Sequence, residues 1–391
     1  MKFHYNIIAS AAIGITGILW MQTASAVPAF AAKHDKKCSS CHTAWPQLNA
    51  KGRAFKERGY RLESEIKEGT QSAMEAESLR SLVSTFLTAR PYDKKDPGDT
   101  NLRAIQEVEV FVTGAIDDNF SGFLAIEAED ENDFIAEVST AKLAYRHSDA
   151  INVQMSWAQV FESDPYSFLR SSLRLTRGRP SIIDQRFNSQ DRLRDTRQNV
   201  TLTGRVIERL FYSVSYTGAP KNVEGEDASG IALRAAYDIT DSIMIGAFHW
   251  SGKDNGVTGT ANDRLPIDYS RTGFDFQVDM DSTRISGGYV QATDDNYQGG
   301  SVVGENENVA MSIQAYHTFR TKSGKPGWVP LIRYDSYEQS DGQDQYDELT
   351  LNIGYYIQEN AKGFLEYWNQ IDTPDGVQDN SRLTLQLQVG F

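Results

Sequence analysis

The feature that most constrains the fold is a two-residue alternation of apolar and polar side chains at the end of the chain. Leu383, Leu385, Leu387, Val389 and Phe391 alternate with polar residues or glycine. Successive side chains of a strand point to opposite faces, so this strand has one apolar and one polar face. A strand of this kind can bury its apolar face either in a protein core or against lipid.

Similar segments recur through most of the chain and predict sixteen strands. They lie at 81–92, 103–116, 120–130, 134–147, 151–161, 197–207, 210–218, 229–238, 242–252, 268–280, 283–293, 306–320, 327–338, 345–358, 361–371 and 381–391. Strands of this length cross a bilayer when they are tilted. The terminal Phe391 lies on the apolar face, and this resembles the last strand of bacterial outer-membrane barrels.

The predicted connections alternate between short and long. Short turns are predicted at 117–119, 148–150, 238–241, 280–282 and 359–360, and longer polar segments at 93–102, 162–196, 219–228, 253–267, 294–305, 339–344 and 372–380. The segment 321–326 is the exception, because it is long for the short-turn side. One rim with short turns and one with long loops is typical of outer-membrane barrels. We therefore predict an all-β transmembrane antiparallel barrel of about 16 strands over 81–391.

The average composition agrees with either a soluble acidic protein or such a barrel. The mean hydropathy is −0.48 and the formal net charge is −14. A barrel hides its lipid-facing side chains in alternate positions, so it is polar on average. The acidic balance gives no reason to expect a nucleic-acid partner, and the expected surroundings are outer-membrane lipids.

Residues 1–26 have the features of a secretory signal peptide. Lys2 supplies the positive start, an apolar stretch follows at 7–21, and small residues at 24–26 form the cleavage site. The apolar stretch is shorter than the roughly 20 residues that span a membrane. We therefore expect export from the cytoplasm, with cleavage before Val27.

Shortly after this signal, the only two cysteines of the chain form the sequence Cys-Ser-Ser-Cys-His at 38–42. This is the C-x-x-C-H haem-attachment motif. Cys38 and Cys41 would form thioethers with one haem c, and His42 would be the proximal ligand of the iron. A zinc site would need a second ligand pair, and a thioredoxin-like site would need a βαβ context. The remaining alternative is an ordinary disulfide.

The second axial ligand is not marked by any motif. Met74 and His34 are candidates, because a thioether or an imidazole can complete the coordination of a haem iron. His147, His249 and His317 fall in or beside predicted strands and are weaker candidates. The region 27–80 is too short for a strong core of its own, and haem would add apolar mass. A compact segment of this size is roughly 25 Å across, so it could lie inside the barrel or on its periplasmic side.

This region resembles the fused outer-membrane cytochrome-porins, which include the ferrous-iron oxidases of iron-oxidising bacteria. The resemblance depends on Pro-Ala-Phe-Ala at 28–31, Cys-Ser-Ser-Cys-His at 38–42, Pro-Gln-Leu-Asn at 46–49, Gly-Arg-Ala-Phe at 52–55 and Gly-Tyr at 59–60. It implies a signal peptide (1–26), a monohaem cytochrome c segment (27–80) and an outer-membrane barrel (81–391). It also implies electron transfer between an external donor and a periplasmic cytochrome.

Ferrous iron is the expected external donor, which would make the chain an oxidoreductase, and no catalytic residue beyond the haem is expected. Two alternatives stay open. One is a diffusion porin whose haem segment is a structural or sensory plug. The other is a conduit for a different external donor or acceptor.

Charged residues cluster in the predicted loops. Acidic groups occur at Glu127, Glu129, Asp130, Glu131 and Asp133, at Glu224, Glu226 and Asp227, at Asp341 and Asp344, and at Asp372, Asp375 and Asp379. Any single one of these carboxylates would serve solubility or calcium bridging at the cell surface, whereas together they would concentrate cations at the mouth of the barrel. The 162–196 loop is instead rich in arginine, at positions 170, 174, 177, 179, 186, 192 and 194. It could constrict the lumen, contact haem propionates or bind lipopolysaccharide phosphates.

Overall fold

A computed structural model describes residues 28–69, 81–185, 187, 192–220, 229–255, 266–295 and 304–391. The predicted signal peptide lies outside the described residues. In the part of the chain that is described, no helix has the length and apolar character needed to cross a membrane.

Sixteen antiparallel strands form one closed barrel, in which each strand pairs with the next along the chain and the last pairs with the first. Their bounds are β3 (Val83–Asp96), β4 (Thr100–Ala115), β5 (Phe120–Glu129), β6 (Glu137–Arg146), β7 (Asn152–Gln159), β8 (Thr196–Ile207), β9 (Leu210–Pro220), β10 (Ser229–Thr240), β11 (Ile243–Asn255), β12 (Pro266–Met280), β13 (Thr283–Asp294), β14 (Asn306–His317), β15 (Trp328–Gln339), β16 (Asp344–Gln358), β17 (Ala361–Asp372) and β18 (Ser381–Gly390). An even number of strands is what antiparallel closure requires.

The predicted fold class is confirmed. Every predicted strand is present, and each observed boundary lies within four residues of the predicted one. The largest difference is at the β3–β4 connection, where the predicted loop 93–102 shrinks to 97–99. The reason is that the ladder continues past the predicted ends, with Asp93 opposite Asn101 and Lys94 opposite Thr100.

The faces of the barrel are inverted relative to a soluble protein. In β10, Ile231 and Leu233 are 48% and 43% exposed on the outside, whereas Ala232 and Arg234 are 1% and 3% exposed on the inside. The buried arginines of the inner wall are paired. Arg271 contacts Asp294 at 2.8 Å, for example, and Arg333 contacts Asp335 at 2.6 Å. The outside is therefore suited to hydrocarbon and the inside is polar.

The seam of the barrel uses the last residue of the chain. Phe391 donates its backbone N–H to Thr85 O at 2.9 Å and accepts from Thr85 N at 2.8 Å. These two bonds extend the ladder between β18 and β3 by one residue. The aromatic terminus therefore lies at the point where the two ends of the sheet meet.

The described N-terminal residues 28–69 form small elements inside the short-turn end of this barrel. They are α1 (Pro28–His34), a 3₁₀ turn (Cys38–Ser40), the short strands β1 (His42–Ala44) and β2 (Gln47–Leu48), α2 (Ala50–Glu57) and α3 (Glu63–Glu68). Of the segment 63–80, whose composition favours a helix, only 63–68 is helical among the described residues. These elements are too short to form a core of their own, and they pack against the inner wall of the barrel.

Two connections depart from the simple short-turn and long-loop pattern. The turn 318–327 is a small irregular hairpin, in which Arg320 pairs with Pro326 and Thr321 N donates to Lys325 O at 2.8 Å. The long connection 160–195 folds into the barrel, where α4 (Ser181–Asp184) lies against the wall. Two of the three roles considered for this loop, constriction of the lumen and contact with haem propionates, depend on such an inward position.

The seam yields a test. Deleting Phe391 removes two backbone hydrogen bonds, and we expect it to lower the free energy of unfolding by about 1–3 kcal/mol, at about 0.5–1.5 kcal/mol each. Urea unfolding in detergent, followed by tryptophan fluorescence, measures the change. Phe134→Ala is the control, because Phe134 is 44% exposed and lies outside the strands. Equal stability of the deletion and the control would contradict the assigned seam.

Candidate functional site: the Cys-Ser-Ser-Cys-His segment

A tight turn brings the two thiols and the imidazole of the motif together. The 3₁₀ turn closes with Ser40 N donating to Lys37 O and Cys41 N donating to Cys38 O, each at 3.0 Å. His42 follows at once as the first residue of β1. No disulfide joins the two cysteines in this structure, and Cys38 is buried whereas Cys41 is half-buried.

The ring of His42 is held in one orientation. Its Nδ1 lies 3.1 Å from the Pro46 carbonyl oxygen, which favours the tautomer that carries the proton on Nδ1. Burial lowers the pKa of His42 to about 4, so the ring is neutral at neutral pH. A neutral imidazole whose Nδ1–H is bonded to a carbonyl is the usual form of a metal-binding histidine.

These observations fit a c-type haem. Cys38 and Cys41 supply two thiols, and His42 supplies a neutral, oriented nitrogen donor. Among the described residues, no group of three or more His, Cys, Asp or Glu side chains is arranged to hold a metal ion. Two thiols and one imidazole are the residue types by which a haem c would be held.

The residues after the motif lock its turn in place. Asn49 accepts from Gly52 N at 3.0 Å through its side chain and so caps the start of α2. The same side chain donates to Ser40 O at 3.1 Å, and Asn49 N donates to Cys41 O at 2.9 Å. A Cβ at Gly52 would lie 2.2 Å from Cys41 O. Glycine at this position therefore lets α2 lie directly on the turn.

Polar side chains of the barrel wall hold the segment from one side. The Thr43 and Tyr316 hydroxyls are 2.8 Å apart, and Tyr356 donates its hydroxyl to Trp45 O. Lys362 donates to the same Trp45 carbonyl at 3.2 Å. Arg284 donates to Gln47 Oε1 at 3.0 Å and to Leu48 O at 2.9 Å. Side chains of β13, β14, β16 and β17 therefore hold residues 43–48 through both side-chain and backbone atoms.

The other end of the segment is anchored through its helices. Arg61 is fully buried and donates to Asp117 O at 2.7 Å and to Phe120 O at 2.6 Å. Arg205 of β8 forms a bidentate contact with Glu57 of α2, at 2.6 and 3.0 Å. Anchors on opposite walls fix the segment across the width of the lumen.

The loop 160–195 meets the segment from the other side. Lys56 of α2 donates to Glu162 O at 2.5 Å and to Asp164 O at 2.6 Å. Lys142 of β6 and Arg170 each contact the Glu162 carboxylate at 2.8 Å. Burial opposes ionisation of this carboxylate, but the three cations outweigh it and hold the pKa of Glu162 well below its usual value. Segment, wall and loop therefore share one buried charge network.

The loop also joins the hydrophobic contacts of the lumen. Leu175 packs in one cluster with Ala44 of the segment and Tyr316, Leu331 and Tyr356 of the wall. A second cluster places apolar loop residues on the inner faces of β10–β14. Gln47 donates to Leu173 O, which fixes the loop directly above β2.

The two candidates for the second axial ligand, Met74 and His34, differ in what the structure shows of them. Met74 lies outside the described residues. His34 packs edge-on against Phe55 at 5.4 Å and lies 3.8 Å from Glu65. Its Nε2 is buried and finds no hydrogen-bond partner within the described part of the chain. Burial also lowers the pKa of His34, so the imidazole is disposed to be neutral.

A column of glutamates lies on the inner wall beyond the segment. Glu107 pairs with Glu129, and Glu109 with Glu127, across the ladder between β4 and β5. Glu127 and Glu129 fall within the predicted strand 120–130, which is confirmed; their grouping with an acidic loop is wrong, because β5 continues to Glu129 before the chain turns. Their strand position directs them inward. Like charges directly opposite each other destabilise a sheet, so this arrangement has a cost.

Aromatic rings continue the column toward the motif. Phe111 and Phe123 follow the glutamates on the same inner face, with ring centroids 5.7 Å apart. Phe111 contacts Phe86 at 5.5 Å, and Phe86 stacks on Trp45 at 4.9 Å. Sequence reasoning missed Glu107 and Glu109. The available signal was that residues 107, 109 and 111 lie two apart in the predicted strand, so the two glutamates share a face with Phe111.

The barrel is similar to solved outer-membrane channels. The similar structures include an anion-selective porin from Comamonas acidovorans (11% identity, TM-score 0.60, 79% of this chain and 98% of that chain) and OmpF of Salmonella typhi in complex with daunomycin (13%, 0.58, 79% and 97%). The outer membrane channel DcaP of Acinetobacter baumannii is another (14%, 0.54, 79% and 95%). This chain has the porin fold. No family model and no functionally curated protein matches it.

A substitution at Gly52 tests how α2 packs on the Cys38–Cys41 turn. Gly52→Ala places a methyl group against the Cys41 carbonyl, and overpacking of this kind costs about 1–3 kcal/mol. We expect faster tryptic cleavage between Lys51 and Arg58 in the detergent-solubilised protein, measured by mass spectrometry. Gly304→Ala is the matched control, because a Cβ there meets nothing within 4 Å. Equal cleavage rates would show that α2 does not lie on the turn.

Proposed function

We propose that this chain is an outer-membrane cytochrome-porin that oxidises external ferrous iron and passes the electrons, through one covalent haem c, to a periplasmic cytochrome. In this proposal it belongs to the cytochrome-porin family that the sequence resembles. The observation that carries the proposal is the position of the Cys-Ser-Ser-Cys-His turn. It lies inside the short-turn end of the barrel, and a column of carboxylates lies farther up the same lumen.

Cys38, Cys41 and His42 would hold the group, which when bound supplies a one-electron ferric–ferrous couple. The rest of the segment orients these three residues. Pro46 O fixes the imidazole tautomer, and Asn49 and Gly52 fix the turn. Tyr316 holds the Thr43 side chain, and Tyr356 and Lys362 hold the Trp45 carbonyl. A redox centre in this position would be accessible from the periplasmic rim while remaining inside the membrane protein.

The glutamate column supports a cationic donor. Glu107, Glu109, Glu127 and Glu129 bring four carboxyl groups close together on the inner wall, and carboxylate oxygens are hard donors of the kind that attract divalent cations. Arg174 and Arg179 of the loop lie within electrostatic range of Glu109 and Glu127 and limit any negative field there. Oxidation of Fe²⁺ to Fe³⁺ releases one electron, so a single one-electron centre is sufficient for the reaction.

A diffusion porin with a haem-bearing plug is the second candidate. The fold favours it, since the similar solved structures include a porin described as anion-selective. The contacts of the segment and of the inward loop favour the conduit instead, because both occupy the lumen through which a solute would pass. The two candidates predict different effects of removing the haem.

The first prediction concerns the glutamate column. We expect Glu109→Gln/Glu127→Gln to slow reduction of the haem α-band by ferrous iron about tenfold at low ionic strength, because steering of a charged reactant is lost. Reduction by hydroquinone, a neutral molecule, should not change. Asp372→Asn/Asp375→Asn, at exposed positions on the long-loop rim, is the matched control. If ferrous iron does not reduce the wild-type haem at near-neutral pH, the iron assignment is wrong.

The second prediction separates conduit from porin. We expect Cys38→Ser/Cys41→Ser to abolish covalent haem and electron transfer, while the barrel still assembles and solute conductance in planar bilayers stays low. Ser39→Ala/Ser40→Ala, within the same turn, is the control that keeps both thiols. A wild-type protein with high solute conductance that survives the loss of both cysteines would support the diffusion porin.

A further inference from the structure

Within the described residues, the short-turn rim carries a patch of positive charge beside the Cys38–His42 turn. It consists of Lys36, Lys37, Arg320, Lys322 and Lys325, which we call the basic rim patch. All except the half-buried Lys325 are exposed. The patch stands out because the whole chain has a formal net charge of −14.

Hydrogen bonds join the parts of the patch into one surface. Arg320 donates to Thr43 O at 3.4 Å, which connects the 318–327 hairpin to the strand that begins at His42. Lys325 donates to Ile357 O at 2.9 Å. Ser39 donates to the Glu359 carboxylate through its N–H and its hydroxyl, each at 3.3 Å. The turn, the hairpin and the end of β16 therefore lie side by side.

The opposing charges around the patch are few. Asp35 and Glu359 are the carboxylates carried by these same described segments, and Glu359 is bonded to Ser39. The other short turns are mainly acidic. They carry Asp117 and Asp118, Asp149, Asp241 and Asp281, with Arg209 beside Glu208 as the one cationic side chain in the described turns apart from the hairpin.

The 318–327 hairpin is longer than closure of the barrel requires. A two-residue turn closes the strand pairs β8–β9, β10–β11, β12–β13 and β16–β17, whereas the β14–β15 connection uses ten residues, 318–327. Its extra length carries three of the five cations and places Arg320 against the haem-attachment segment. This accounts for the connection that was too long for the short-turn side.

We propose that the basic rim patch is the docking surface for an acidic periplasmic protein. The proposal rests on the proposed function in one respect, namely that this partner is the electron acceptor. In that role, one electron leaves the reduced centre at the Cys38–His42 turn and reduces the ferric iron of the partner, and no proton is transferred. Opposite charges on two partners raise the rate of encounter and select the partner's face, and salt screens both effects.

Binding of a matched pair of probe proteins tests the proposal without requiring redox activity. The probes are native cytochrome c, which is basic, and cytochrome c whose lysines have been succinylated, which is acidic. The full chain is placed in phosphatidylcholine nanodiscs, and the affinity is measured by biolayer interferometry at low and high salt. We expect the wild type to bind the succinylated probe at least about tenfold more tightly than the native probe at low salt, with the difference lost near 0.5 M salt.

The variant Lys36→Glu/Lys37→Glu/Lys322→Glu reverses three exposed charges of the patch. It should lose about tenfold or more in affinity for the succinylated probe, because attraction becomes repulsion. Lys94→Glu/Lys95→Glu/Lys253→Glu is the matched control. It makes the same charge change at exposed positions near the ends of β3 and β11, on the opposite rim. Its affinity should stay within about twofold of the wild type.

Three results would overturn the docking surface. They are equal affinity of the patch variant and the wild type for the succinylated probe, an equal loss in the control variant, or an effect of the patch variant only on binding to phosphatidylglycerol vesicles. The last result would assign the patch to anionic lipid.

Haem content, measured from the absorbance of each preparation, is read separately. A protein without haem that still shows the charge-dependent binding would refute the proposed function and leave the docking surface standing.

Discussion

The structure depends on one constraint, the satisfaction of every backbone N–H and C=O group in a lipid environment. An open sheet leaves an unpaired edge, which is too costly in hydrocarbon, so the sixteen strands close on themselves. Closure makes the outer face apolar and sends alternate side chains inward. The polar interior that results must then be filled, hydrated or paired. The N-terminal segment and the 160–195 loop fill it.

Filling a polar lumen requires charge pairing rather than apolar packing alone. Arg234 is buried between Asp164 of the loop and Asp275 of the wall, and Glu162 is buried among Lys56, Lys142 and Arg170. Removing one member of such a group would leave an uncompensated buried charge, which is strongly destabilising. This interdependence explains how a segment with little core of its own keeps a defined position inside the barrel.

The charges also divide the barrel along its axis. Carboxyl groups line the wall above the Cys38–His42 turn, a row of aromatic rings extends from them to Trp45, and cations lie at the rim below. Under the proposed function, the first region attracts a cationic donor and the last attracts an acidic acceptor. A soluble cytochrome can present both partners with the same surface. Under the proposed function, the barrel would instead keep the two partners on opposite sides of the membrane.

The sequence by itself determined the barrel, its strand number and the closeness of Cys38, Cys41 and His42 along the chain. These follow from two-residue periodicity and from residues that are neighbours in the chain, so no distant contact is needed to predict them. The tertiary structure decided what depends on closure. It folded the arginine-rich loop inward onto the N-terminal segment and set the 318–327 hairpin against Thr43. Those outcomes depend on which residues a closed barrel brings face to face, and residues hundreds of positions apart carry no local signal of that pairing.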